Sequence, residues 1–165
     1  MDYTFVTGID PGLKQSALVT LRFRNSGSPA IDVVEAEVYD SVDLLNITAD
    51  ATKPTGRHPH IVFIEGYRTR GGYSTNTRME KAVSDIHFRI SGSFVIDNWG
   101  ADSVITPEIM KLMRLWSWSQ KSNHQDLRAA ARIALFGMAK SDELNVILYN
   151  SIRKAYNLTQ PPPAA

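Results

Sequence analysis

Two short apolar runs in this chain end the same way, on a carboxylate followed at once by a chain breaker. The first run, through Tyr3, Phe5, Val6 and Ile9, ends at Asp10-Pro11-Gly12. The second, His60-Ile61-Val62-Phe63-Ile64, ends at Glu65-Gly66. Runs of this length, rich in β-branched and aromatic residues and closed by Pro or Gly, read as buried strands. An acid at the end of a buried strand is costly unless a cation or a hydrogen-bond network needs it there. If the two strands are parallel neighbours, their ~4.8 Å spacing sets both acids side by side, close enough to share cations.

The remaining segments supply a frame for these two strands. Ser16 to Phe23 and Ile31 to Tyr39 read as further strands, joined by the turn Asn25-Ser26-Gly27-Ser28-Pro29, so an antiparallel meander follows the first strand. Ser41 to Ala51 reads as a short helix capped by Ser41, and Lys53 to Pro59 as a loop. A polar, glycine-bearing loop occupies Gly66 to Tyr73. Beyond it Met79, Ala82, Val83, Ile86 and Ile90 fall on one face of a long helix. Asp102 to Thr106 is expected as a brief strand, and Pro107 to Trp118 as a helix with proline at its first position. Asp126 to Lys140 and Glu143 to Tyr156 complete the helices. The result is an α/β class with a five-stranded mixed sheet flanked by helices. Its 165 residues suit a single domain over residues 1–158, with 159–165 as a loose proline-rich tail.

Composition excludes several chemistries. There is no cysteine, hence no disulfide, no thiolate nucleophile and no cysteine zinc site. No apolar stretch is long enough to span a bilayer, and the first residues do not have the pattern of a secretion signal, so no membrane partner is expected. A net charge of +1 does not announce a nucleic-acid binder, but most of the basic residues gather after Gly66.

A third carboxylate completes the chemistry. Asp126 opens a helix whose apolar stripe, with Leu127, Ala131, Ala134, Leu135 and Met138, must lie against the sheet. Carboxylates converging from two strands and a helix are what hard, oxygen-preferring Mg²⁺ or Mn²⁺ requires. Two such ions ~4 Å apart activate water and stabilise the leaving oxygen of a phosphodiester. Each acid also has an ordinary reading: Asp10 as a turn residue, Glu65 as a strand end, Asp126 as a helix cap. Their order and their placement on these elements favour the metal site.

Gly8-Ile9-Asp10-Pro11-Gly12, then Val62-Phe63-Ile64-Glu65-Gly66, then Asp126 at the head of an alanine-rich helix, resemble the RuvC family of Holliday junction resolvases, and more narrowly its bacteriophage branch. The resemblance spans roughly residues 3–140 in motif and element order. It implies a ribonuclease H-like fold and a homodimer acting in the cytoplasm, that of the bacterial host if the chain is phage-encoded. It further implies two-metal hydrolysis of four-way junctions and other branched DNA, leaving a 5′-phosphate and a 3′-hydroxyl. One position departs from the family pattern. The last catalytic helix typically carries a second acid three residues after the first, and here that position is Ala129. Positions i and i+3 share a helix face, so an acid at 129 would point at the same site. Two explanations compete. Alanine has replaced an aspartate, giving a chain that binds without cutting, or Asp10, Glu65 and Asp126 suffice, with His124 as a helper. His124 itself sits in a polar connector and reads more simply as a solvated residue. A non-catalytic branched-DNA-binding protein and a nuclease acting on flaps or hybrids are the alternatives to a resolvase.

DNA must also be held. Arg68 and Arg70 leave the site directly after Glu65, bracketed by Tyr67 and Tyr73, and aromatics beside a basic loop stack on unpaired bases. Arg68, Arg70, Tyr73, Arg78, Lys81, Lys121 and Arg128 are the expected DNA contacts, whereas Arg89 and Lys111 read as solvated charges. Trp99, Trp116 and Trp118 read as core or interface anchors.

Overall fold

The structure, a computed structural model, describes residues 3–24, 31–40, 43, 60–67, 77–121 and 123–159. Five strands form one sheet: β1 (Tyr3–Asp10), β2 (Gln15–Arg24), β3 (Ile31–Asp40), β4 (His60–Gly66) and β5 (Phe94–Asp97), in the order β3-β2-β1-β4-β5. The described helices are α1 (Thr77–Arg89), α2 (Ala101–Val104), α3 (Pro107–Leu112), α4 (His124–Lys140) and α5 (Asn145–Thr159). The antiparallel meander holds, with β1 paired to β2 and β2 to β3. On its other side β1 pairs in parallel with β4, and β4 with β5. The sheet is therefore mixed, and β1 is its middle strand.

Alternate residues of a strand face opposite sides of a sheet, and each side has its own core. Val6 on β1, Val19, Leu21 and Phe23 on β2, and Phe63 on β4 pack with Leu127, Ala130, Ala131, Ala134 and Leu135 of α4. Ile9, Leu18, Val62 and Ile64 face the other way and meet Val83 and Ile86 of α1, with Ile90 just beyond it. The α4 side is the larger core, and it explains the composition of that helix. Ala130, Ala134 and Gly137 keep its sheet-facing side low enough to lie on the strands. A Cβ on Gly8 would stand 2.0 Å from the Ala130 carbonyl oxygen and 2.6 Å from the Ala134 nitrogen. A Cβ on Gly137 would enter the Phe63 ring.

Two elements differ from the sequence reading. The fifth strand is Phe94–Asp97, not 102–106; residues 101–104 form the helical turn α2 instead. Phe94-Val95-Ile96-Asp97 reaches the ladder because β4 offers it a free parallel edge, with Glu65 opposite Ile96 and Gly66 opposite Asp97. The helix from Pro107 stops at Leu112 rather than running to Trp118, because Arg114 adopts a positive φ of 60° and turns the chain. The helix expected over 41–51 lies outside the described residues except for Asp43, which is helical, and so does the tail beyond 159. Trp116 and Trp118 pack against the core as expected, while Trp99 is exposed.

Gly8 is not among the positive-φ glycines, so its backbone accommodates any residue and only the contact with α4 excludes a side chain. Gly8→Ala is expected to cost about 3 kcal/mol through overpacking, read from the midpoint of urea unfolding. A change below about 0.5 kcal/mol, the size of an ordinary surface substitution, would show that the helix is free to lift off the strand.

Candidate functional site

The parallel register of β1 and β4 builds the site. Gly8 pairs with Phe63 and Ile9 with Ile64, so the next residues, Asp10 and Glu65, stand abreast at the strand ends. Both face α4, because Val6 and Gly8 precede Asp10 on that face and Phe63 precedes Glu65. Pro11 then turns the chain away, and the turn is tied by the Gly12 N–H donating to Ser16 Oγ at 3.1 Å.

The electrostatics of Asp10 record what surrounds it. Burial, a side-chain hydrogen bond with Glu65, and the negative charges of Glu65 and Asp126 push its carboxyl up from 3.8 to about 8. Asp10 thus keeps its proton at neutral pH and donates it to Glu65. Asp126 lies in the first turn of α4, exposed, near enough for its charge to be felt at Asp10. Of the three acids singled out from the sequence, Asp10 and Glu65 are in contact, and Asp126 is near enough to act on Asp10 by its charge.

Ala129 lies one turn along α4. It lines a cavity of about 190 Å³ together with Glu65, Asn98, Ala101, Asp102, Arg132 and Ile133. The polar groups of this lining are engaged with one another. Asn98 Nδ2 donates to Glu65 Oε1, and Arg132 Nη1 donates to Asp102 Oδ1. In the sequence Asn98 and Asp102 are not singled out as site residues, and Arg132 reads only as one of the phosphate-binding cations. A signal for Asn98 was present: Phe94-Val95-Ile96-Asp97 followed by Asn98-Trp99-Gly100 is again an apolar run, an acid and a breaker, the pattern that marks β1 and β4.

The donor chemistry fits a hard divalent cation in kind. Positive charge at this point would offset the repulsion that lifts Asp10. In number the set is short: among the described residues no group of three or more His, Asp or Glu side chains is placed to hold a metal ion. Asp10 and Glu65 form a pair, Asp126 stands off from it, and position 129 offers a methyl group.

His124 is occupied elsewhere. Its Nε2 bonds the Trp116 carbonyl oxygen at 2.6 Å, so that nitrogen carries the proton, and its ring meets Trp118 edge-on. It fastens the connector to α4. The expected DNA contacts are distributed unevenly. Arg68, Arg70 and Tyr73 lie outside the described residues. Arg78 and Lys81 are exposed on α1, with Lys81 bridging to Asp85 at 2.6 Å. Lys121 reaches across to β3, pairing with Glu37 at 2.6 Å and donating to the Ala36 carbonyl at 2.9 Å. The Arg128 guanidinium stacks 3.9 Å from the centre of the Trp116 ring.

The fold is similar to that of solved RuvC structures. The structure of Thermus thermophilus RuvC matches over 92% of this chain and 98% of its own, with TM-score 0.61 and 13% identity. T. thermophilus RuvC in complex with a Holliday junction substrate matches over 79% and 90%, with TM-score 0.55 and 14% identity. A Fowlpox virus resolvase bound to Holliday junction DNA aligns over 94% and 93% at 16% identity, with a TM-score of only 0.35. No protein-family model and no curated protein matches the sequence. The chain has a ribonuclease H-like fold. Within that class its fold is similar to that of RuvC.

The raised Asp10 has a consequence for folding. Its carboxyl titrates near 3.8 when unfolded and near 8 when folded. The stability linked to its proton is therefore fully present below about pH 4 and is lost as pH rises through about 8. In chelator, melting temperature should fall between about pH 5 and about pH 9, and Asp10→Asn should remove a large part of that fall. Parallel pH profiles for the two proteins would show that Asp10 titrates normally.

Proposed function

We propose that this protein is a RuvC-like endonuclease of branched DNA, directed chiefly at four-way junctions, and that Ala129 makes the present chain a binding form of it. The Asp10–Glu65 pair at two neighbouring strand ends, with the charge of Asp126 felt at Asp10, on a RuvC-like fold, supports this reading. Asp10 and Glu65 would hold Mg²⁺ or Mn²⁺, with Asp126 completing the negative field. Bound there, such ions supply the charge that activates water and offsets the developing charge on the leaving oxygen of a phosphodiester. The chain's own part is preparatory. Asp10 must give up its proton before it can ligate. Glu65 keeps its place through Asn98. Helix α4 fixes how far Asp126 and position 129 stand from the strand ends. No general base is required of the side chains.

Homodimerisation is part of the proposal, as two active sites suit a substrate cut on two strands. The exposed Phe88 of α1 and Phe94 of β5 are apolar surface available for it. A phage origin and action in the bacterial host's cytoplasm follow only from the motif resemblance. Among the described residues no helix is long and apolar enough to cross a membrane.

The runner-up is a branched-DNA-binding protein with no cutting activity in any form. It is favoured by the absence of a three-acid metal cluster among the described residues. Labelled four-way junction, flap and duplex DNA, incubated with Mg²⁺, Mn²⁺ or chelator, separates the readings. Ala129→Asp is expected to cut junctions at least ~100-fold faster than the present chain, since losing even an outer-sphere partner of a metal costs 10–100-fold. Equal, strong, metal-dependent cutting by both chains would refute the role given to Ala129. Tight binding with cutting by neither would favour the binding protein.

The grip on DNA is assigned chiefly to the loop after β4. Arg68→Ala combined with Arg70→Ala should weaken junction binding and reduce the slope of log affinity against log salt by about 0.9 for each phosphate no longer neutralised. Binding that is unchanged across salt concentrations would place the grip elsewhere.

A further inference from the structure

The turn after β5 brings a neutral amide to the carboxylate pair. Glu65 pairs with Ile96 and Gly66 with Asp97, so residue 98 leaves β5 close beside the end of β4. There Asn98 Nδ2 donates to Glu65 Oε1. The backbone that presents this amide is fixed. The Ala101 N–H donates to the Asn98 carbonyl at 2.9 Å, and the Trp99 N–H donates to Asp97 Oδ1 at 3.1 Å. Gly100, at φ 79°, then lets the chain enter α2 directly. The amide comes from a tied turn between a strand and a helix.

The identity of the donor matters. A glutamate carboxylate turns readily about its terminal bond, where the torsional wells are broad. Its value as a ligand therefore depends on what sets its plane. A donor fixed on Oε1 sets that plane and leaves Oε2 for other partners. An amide does this without the positive charge of Lys or Arg, which would compete with a cation for Glu65. Partners of this kind orient metal-ligating groups in many sites.

We propose that Asn98 is a positioning residue for Glu65, holding its carboxylate in the orientation that a divalent cation needs. This rests on the reading of the carboxylates as an Mg²⁺ or Mn²⁺ site. It differs from the Ala129 question, because Asn98 acts on an acid the chain possesses.

The test is Mn²⁺ binding to the full chain without DNA, followed by electron paramagnetic resonance of free Mn²⁺. It is run in the present chain and in Ala129→Asp, each with Asn98→Ala and Asn98→Gln, alongside thermal unfolding in chelator. Asn98→Ala should weaken Mn²⁺ binding by roughly tenfold, the lower end for an outer-sphere partner, because the residue is exposed. Asn98→Gln keeps the amide donor and should keep most of the affinity. Melting temperatures should agree, because the turn is held by the backbone of residue 98 and not by its side chain. Undiminished Mn²⁺ affinity in Asn98→Ala overturns the proposal. So does an equal loss in both variants accompanied by a lowered melting temperature, which would mark a structural role only. If neither background binds Mn²⁺ before Asn98 is changed, the metal reading itself falls and takes this one with it.

Discussion

The whole arrangement depends on one close approach, that of α4 to β1. Gly8 has no side chain, and Ala130 and Ala134 bring the helix backbone down to it, leaving no room for a Cβ between them. Packing this tight fixes the helix in height and in rotation. Because α4 is regular, the same approach sets everything on that face one turn nearer its N-terminus. Asp126 is brought near enough for its charge to be felt at Asp10, and Ala129 lines one cavity with Glu65. A bulkier residue at 8, 130 or 134 would move the acids apart without touching any of them. The parallel register of β1 and β4 is the second half of the constraint, since it decides that the two strand acids stand level.

That geometry gathers negative charge where the protein gains nothing from it as a fold. Burial and two neighbouring acids hold a proton on Asp10 well above the range of a free carboxyl. A site tuned only for stability would have an amide or an apolar residue there. Strain of this type, maintained by a well-packed scaffold, is common where chemistry or binding demands it. The same reasoning applies to Ala129. Another acid at that point would add repulsion beside Glu65, and its absence relieves the fold while, on the proposed metal reading, removing a ligand. On that reading stability and metal affinity pull this one position in opposite directions.

Much of this was legible in the sequence, for identifiable reasons. Strand β1 was readable to its last residue because its apolar run is long and Pro11-Gly12 ends it. The pairing of Asp10 with Glu65 followed from two copies of one pattern. The fifth strand was misplaced because four residues are too few to show a period, and because the apolar spacing of 102–106 resembles a strand as much as a helical turn. That error hid Asn98, whose role depends on where β5 ends. The Arg132–Asp102 pair joins residues 30 apart in sequence and follows from packing alone. Arg128 and Lys121 read as DNA contacts, but a stacking tryptophan and an acidic partner on β3 cannot be seen in a list of charges.

These internal pairings bear on how a chain of net charge +1 could hold a polyanion. Arg22 is joined to Asp32, Lys81 to Asp85, Lys121 to Glu37 and Arg132 to Asp102. Arg128 has its guanidinium on an indole. Cations already paired contribute less to counterion release than free ones, because their field is partly cancelled before DNA arrives. On the proposed reading, the attraction therefore rests on the other cations, Arg68, Arg70 and the exposed Arg78 among them. Arg68 is joined to Glu65 through Gly66 and Tyr67 alone. On the same reading, attraction and hydrolysis would be tied to a single strand end, and the carboxylate-rich face, which would otherwise repel DNA, would become approachable only once cations had covered it.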